Sequence, residues 1–472
     1  MSSTINWSVL TAILTYVLVQ FAIGVWYSRK IATDVDYILA GRKLGTGLVA
    51  FSVFATWFGA EAIQVSAGEI YDKGLSAALT DPVGYGFAVV IVALLLAAPL
   101  WRRGVTTFAD MIRERYSSRV EKLFVLVLLP GSVFWAAAQV RAFGQLLSST
   151  GGIDLSTAIL ISAVLIAAYT TIGGLLADAV TDLIQGIAVI VGLCVLFVFV
   201  AISLGGVQAG LATVPADRLQ PFSSGGESPL AKVEKLAIVL CGSIVSVELI
   251  SRFLGARSAS AARSGTLIGG LMYLGLGLLP IFLGLVGPGL VKGLDDPEQL
   301  VPRLAAAYLP PLGYALFLGA LVSAILSVVH AALHAPAAHV SHNIITRLRP
   351  DMTERNKLIS VRLTVVALSI VALFLAQSVE RIKELVETAS AFGSAGAFVV
   401  VVLGLFTRFG GPACAVAALL TGIAMWLSGK YIFAFELPYL FGLASACLAY
   451  VAASLFERTS DDRRDKSRAP AG

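Results

Sequence analysis

The chain has 472 residues, 57% of them hydrophobic and only 13% charged, and its mean hydropathy is +0.87. A water-soluble domain carries about 25% charge and under 50% apolar residues, so a soluble enzyme or binding module is excluded. The formal charge of +5 reflects topology and contact with anionic lipid, not nucleic acid.

Apolar runs of roughly 20 residues recur along the chain, the length that spans a bilayer. They predict about thirteen transmembrane helices, at 5–27, 47–70, 83–101, 120–147, 154–173, 178–203, 232–254, 264–286, 311–345, 360–379, 385–407, 411–428 and 435–456. The first run has no basic segment before it, so it reads as a span, not a cleavable leader. The ninth is too long for a simple crossing; Pro336 is expected to kink it, or its end to project into the cytosol. All four cysteines fall inside apolar runs and have no metal or disulfide spacing.

With the N-terminus placed outside, 24 of the 34 Lys and Arg residues fall on the cytoplasmic side. Clusters such as Arg102, Arg103, Arg113 and Arg115 carry this bias. It predicts an N-out, C-in protein of the inner or plasma membrane, whose lipid partner is the bilayer. The segment 457–472 reads as a basic cytoplasmic tail.

Charges inside spans are costly and mark binding sites or pathways. Glu61 and Glu69 fall in the second span, Arg141 in the fourth, Asp182 in the sixth and Glu248 in the seventh. Each has a structural alternative. Glu69 can face outer water, Glu248 can pair with Arg252 one turn on, Asp182 can sit near a helix start, and Arg141 can snorkel. Arg141, near Gln139, can also clamp a carboxylate with its planar fork. That reading points to an organic or amino acid substrate. In the second span, Ser52-Val53-Phe54-Ala55-Thr56-Trp57-Phe58-Gly59-Ala60-Glu61 mixes small, polar and bulky residues at midplane depth. A local unwinding there would free carbonyls able to ligate a small cation, which is tolerated only beside a cavity.

Several stretches, in order and at the expected spacing, resemble the sodium/solute symporters, which include proline, sugar and sialic acid carriers. They are Asp36-Tyr37-Ile38-Leu39-Ala40-Gly41-Arg42, Thr106 to Met111 with Arg115-Tyr116, Tyr169 to Gly174 with Thr181 to Gly186, and Ala324-Ile325-Leu326-Ser327. The resemblance implies an all-α, LeuT-type core of two inverted five-helix repeats. The expected units are 1–46, a first helix and inner loop; 47–203, the first repeat; 204–407, the second repeat with an external gate loop; and 408–456, two further helices.

The resemblance also implies a sodium site of three carbonyls and two hydroxyls. Carried over, the carbonyls fall on Ala55, Phe58 and Ala324 and one hydroxyl on Ser327. The other falls on Val328, which cannot ligate a cation. A second sodium site would need hydroxyls at His330 and Ala331 beside Asp182, and is expected to be absent. Ala62, where sugar carriers have a glutamine, argues against a sugar. Glu61, Ala62, Gln139, Arg141 and Glu248 are the expected substrate contacts.

All four histidines, His330, His334, His339 and His342, lie within one segment. His330 and His334 share a helical face beside the expected ion site. They are candidates, with Asp182, for ion coupling or a proton relay; His339 and His342 read as interfacial. The expected function is sodium-coupled symport of a small organic solute. A proton-coupled carrier of the same fold is the alternative, and a membrane sensory domain the third reading. No phosphate loop, nucleophile–base arrangement or metal motif points to an enzyme, and no obligate protein partner is evident.

Overall fold

In the computed structural model of the chain, residues 7–29, 31, 33–222 and 228–468 are described. They are helical, with no strand among them beyond one isolated backbone bridge. The long helices are α1 (Trp7–Ser28), α2 (Thr46–Trp57 then Glu61–Lys73), α3 (Leu75–Arg102), α4 (Ser118–Gly151), α5 (Leu155–Ile172) and α6 (Leu175–Ser203). They continue with α7 (Pro229–Leu254), α8 (Ala259–Leu290), α9 (Pro311–Leu348), α10 (Glu354–Ser378), α11 (Ile382–Phe406), α12 (Pro412–Tyr431) and α13 (Pro438–Arg468).

These elements occupy the thirteen expected positions, but the number that qualify as spans is lower. Among the described residues eleven helices are long and apolar enough to cross a bilayer, and the bent pair in α2 makes a twelfth. The apolar stretch of α1, Ile13–Ser28, is shorter. The start of the first expected span, at residues 5 and 6, lies outside the described residues, as does the end of the tail, 469–472.

Polar caps set the helix starts. Ser117, Asp154, Ser258 and Thr353 each accept a hydrogen bond from an amide in the first turn, satisfying donors that a helix leaves open. Burial sorts the helices. The apolar window of α9 is 89% buried, against 33% for α10 and 28% for α13. So α9 is the central post, packed by α6, α4 and α2, while α10 and α13 face outward with residues such as Phe374 and Leu448. α9 stays α-helical through Pro336 and not until Val340–Ile345 does it widen into a π-helical turn.

The two helices that open the expected repeats are the broken ones. α2 bends by 60° between α2a (Thr46–Trp57) and α2b (Glu61–Lys73). α7 is interrupted at Val245 and Ser246 between α7a (Pro229–Ile244) and α7b (Val247–Leu254). Outside the membrane helices, the segment entering α2a bridges the one leaving α7b. Leu44 N donates to Gly255 O at 3.1 Å, and Arg257 N donates to Leu44 O at 2.9 Å.

α8 holds α2 through glycines. A β-carbon on Gly265 would fall 2.6 Å from Val49 Cβ, on Gly269 2.8 Å from Ala50 O, and on Gly284 2.7 Å from Ala67 O. Small residues let helix backbones approach closely in lipid, where apolar burial gives no drive. Gly269→Val is therefore expected to lower the melting temperature of the purified protein, by overpacking worth about 1–3 kcal/mol. Gly275→Val, on the same helix with nothing within 4 Å, is the control. Equal melting temperatures for the two variants would contradict this packing.

Candidate functional site

The site begins at the break in α2. Phe58 leaves helical geometry at φ −92°, ψ 68°. The next amides are redirected: Ala60 N donates to Gln139 Oε1 at 3.3 Å. The last-turn carbonyls, including those of Ala55 and Phe58, therefore end a helix without intrahelical donors. Gly59 is required here, because a β-carbon would sit 2.6 Å from both Val328 Cγ2 and Glu61 Oε2. One residue thus brings α9 and the first acid of the cavity against the break.

On one side of the break lies a fully buried charge cluster. Asp182 accepts from Ser52 Oγ of α2a at 2.6 Å and from Ser327 Oγ of α9. Arg252, on α7b, donates to Asp178 and lies 3.7 Å from Asp182 Oδ2. His330 Nδ1 lies 2.8 Å from Asp178 Oδ1, out of line for a hydrogen bond. The His330 ring stacks on His334 at 5.3 Å, and His334 Nε2 reaches Tyr37 O at 3.1 Å. Four elements that are remote in sequence meet here.

On the other side is a cavity of about 630 Å³. Its wall carries two acids, Glu61 and Glu248, and the aromatic residues Trp57, Tyr85, Trp135, Tyr273 and Phe392. Small residues such as Ser132, Gly242 and Ser390 fill the remainder. Trp57 and Trp135 meet edge to face at 5.0 Å. Glu61 accepts from Trp135 Nε1 at 3.1 Å and from Gln139 Nε2 at 2.6 Å. Glu248 accepts from Ser246 Oγ at 2.6 Å, while its Oε1 is buried without a hydrogen-bond partner.

The sequence-predicted residues divide accordingly. Ala55, Phe58, Ala324, Ser327 and Val328 lie on α2a and α9, the two helices that Asp182 joins. His330 and His334 belong to the charge cluster. Glu61 and Glu248 line the cavity; Ala62 is buried but does not, and Gln139 acts behind the wall by holding Glu61. Arg141 is turned away. Its guanidinium donates to Ala376 O at 2.9 Å and Glu380 O at 2.8 Å, closing the C-terminal end of α10. That placement removes the reason for expecting a carboxylate. Glu248 and Arg252 make no salt bridge; Arg252 turns its Nη1 to Asp178 and Asp182 instead. Asp182 is no helix cap, standing two turns into α6. His339 is fully buried and not interfacial.

Arg252 and Asp178 escape a sequence reading because each stands near a span end, where charge is unremarkable. The aromatic lining escapes it because tryptophan and tyrosine in spans are common; their convergence comes from five different helices. Two smaller cavities continue the first toward the end of the bundle that holds Ile38 and Thr107. One shares Leu128, Ser132 and Val247 with it; the next shares His339 with that one and reaches Ile38 and Thr107.

A polar clasp closes this line. Asn343 Nδ2 donates to Asp110 Oδ1 at 2.9 Å and Glu121 Oε1 at 2.8 Å, and its Oδ1 accepts from Thr107 Oγ1 at 2.8 Å. Asp110 also accepts from the amides of Thr106 and Thr107, both at 3.0 Å. His342 stands between Asp110 and Asp34, at 3.6 and 3.9 Å. Burial works against the ionised Asp110 carboxyl, but His342, the Thr107 amide and Arg347 outweigh it and hold it well below the ordinary carboxylate range.

Two broken helices beside a buried cavity, in an all-helical bundle with membrane-spanning lengths of apolar helix, define the class: the fold is LeuT-type. The chain belongs to the sodium:solute symporter family, which it matches across residues 37–422. High-affinity choline transporter 1 of Caenorhabditis elegans is 26% identical over 405 residues, 79% of this chain and 69% of its own length. The sodium/pantothenate symporter of Escherichia coli strain K12 is 25% identical over 381 residues, 78% of each chain. A Na+-coupled sialic acid symporter, solved in a substrate-bound outward-open state, superposes with a TM-score of 0.85 at 17% identity, covering 96% of this chain and 98% of that one. The last likeness speaks to the fold alone.

The clasp has a measurable signature. A carboxylate held below its unfolded value of about 3.9 stabilises the fold above that pH, and the stabilisation is lost as pH falls through the folded-state value. Asp110→Asn is therefore expected to lower the melting temperature at pH 7, with a gap to wild type that narrows below about pH 4. A gap that is constant with pH would show that Asp110 contributes as a neutral hydrogen-bonding group.

Proposed function

We propose that the protein is a sodium-coupled symporter that carries a small organic solute across the cell membrane by alternating access. The observation that carries this reading is the shared break in α2. One face of it abuts the Asp182–Ser327 cluster, and the other opens on the Glu61 cavity. A cation and a solute bound there would stabilise the same bend, and that is the physical content of coupling.

In this reading the carbonyls of Ala55, Phe58 and Ala324 and the Ser327 hydroxyl hold sodium, with Asp182 supplying charge behind Ser327. Val328 leaves the fifth ligand to water or the solute. Glu61 and Glu248 contact the solute, and the line of cavities past His339 is its release route, opened when the clasp at Asn343 parts. The repeats are 47–203 and 204–407, with the N-terminus outside and the C-terminus in the cytosol. Relatives that carry choline or pantothenate support a small organic solute, but these two are of opposite charge, so the names leave the charge open.

In proteoliposomes, uptake is expected to follow an imposed sodium gradient, and Asp182→Asn to abolish accumulation while the protein still inserts. Val328→Ser restores a ligand. One buried polar partner is worth about 1–3 kcal/mol, so the sodium concentration for half-maximal uptake is expected to fall about 5-fold or more. Uptake that ignores sodium and follows a pH gradient would assign coupling to protons instead.

Orientation has its own check. Single cysteines at Gly205 and Gly293 are expected to label from outside, and one at Asp351 only after permeabilisation. The reverse pattern would invert the inward direction of the release route.

A further inference from the structure

We infer that the solute is an organic cation, a small alkylated ammonium compound that also carries an oxygen acceptor; this rests on the symport reading above and names what the same cavity selects. The argument starts from charge. Two carboxylates, Glu61 and Glu248, line the cavity, and no lysine or arginine does. Neither acid makes a salt bridge among the described residues. Glu61 is held by neutral donors, Trp135 and Gln139, and Glu248 by Ser246, with Oε1 left over. Glu248 is 3% exposed, so water does not compensate it.

The cations that could neutralise them are engaged elsewhere. Arg252, one turn from Glu248, turns its Nη1 to Asp178 and Asp182 and makes no salt bridge to Glu248, its Nε and Nη2 having no hydrogen-bond partner among the described residues. Arg141 caps α10, and Lys383 pairs with Glu69 at 2.7 Å. A third acid, Asp81, stands behind the wall and accepts from Tyr273 at 2.7 Å, adding negative potential. Buried charge without a partner is expensive, and such an acid otherwise takes up a proton; a cationic ligand is the partner that lets these acids ionise.

The rest of the wall says what kind of cation. A hydrated metal ion or a bare primary ammonium wants a ring of oxygen acceptors. This wall instead presents aromatic rings, with Trp57 and Trp135 against each other and Tyr85, Tyr273 and Phe392 around them. Both tyrosine hydroxyls are already spent, Tyr85 on Ser390 at 2.9 Å and Tyr273 on Asp81. Aromatic rings beside carboxylates favour a charge spread over methyl or methylene groups, through cation–π attraction and apolar contact. Besides Glu248 Oε1, two polar atoms of the lining are unpartnered among the described residues, Trp57 Nε1 and Ser243 Oγ. Trp57 Nε1 is a donor only, so it calls for an oxygen on the ligand.

The test uses wild-type protein in proteoliposomes under an inward sodium gradient. Labelled choline is the probe. Competitors are tetramethylammonium, the uncharged isostere 3,3-dimethylbutanol, and pantothenate. Sodium-driven choline uptake is expected, inhibited by tetramethylammonium and not by the other two. Glu248→Gln and Trp135→Leu are each expected to weaken tetramethylammonium competition by about tenfold or more, and Trp135→Phe to retain most of it. Sodium-dependent thermal stabilisation without solute reports whether each variant is folded. Sodium-driven uptake of pantothenate or of the neutral isostere, with tetramethylammonium inert, overturns the cation assignment and leaves symport standing. No sodium-driven uptake and no sodium-dependent stabilisation by any of the four compounds overturns both.

Discussion

A guanidinium placed wholly inside a membrane bundle is the constraint around which the remainder is organised. Arg252 cannot be left unpaired in that medium. It is matched by Asp178, and with Asp182 the group draws together α6, α7b, α2a and α9. Breaking one partner of such a set costs far more than the set contributes when intact. The cluster therefore works chiefly as a positional lock. It fixes where the end of α2a meets α9, and so where freed carbonyls and the Ser327 hydroxyl converge.

That lock explains the division of labour around the break in α2. Gly59 allows Val328 and Glu61 to approach from opposite sides. The Ala60 amide, released from its helical partner, goes to Gln139, and Gln139 in turn holds Glu61. The geometry of the side that meets α9 and that of the cavity wall are thus set by the same three residues. A shift of one necessarily alters the other.

Much of the fold was legible because a bilayer imposes a length and a polarity that composition cannot hide. Span positions, the broken second helix and the importance of Glu61, Asp182 and Glu248 all follow from charge or irregularity at midplane depth. The partners of those residues were not legible. Local spacing offered Arg252 to Glu248, one turn away; only packing brings Asp178 and Asp182 closer. Arg141 looked free to clamp a substrate, because nothing in its own helix reveals the open carbonyls at the end of α10. The aromatic wall was invisible for a related reason, since its rings come from α2, α3, α4, α8 and α11, and no periodicity within one helix records that they meet.

The bridge at Leu44 has a mechanical consequence. Two backbone hydrogen bonds staple the chain entering α2a to the chain leaving α7b. α2a carries Ser52 and the carbonyls at the break; α7b carries Glu248 and Arg252. The Asp182 cluster adds a second tie close by, through Ser52 in the middle of α2a and Arg252 near the stapled end of α7b, so the two half-helices are held to each other by backbone and side chain together. Any motion of α2a must then carry α7b with it, and Ser52 and Glu248 travel together. Parting the two half-helices would cost two backbone hydrogen bonds in addition to the side-chain contacts.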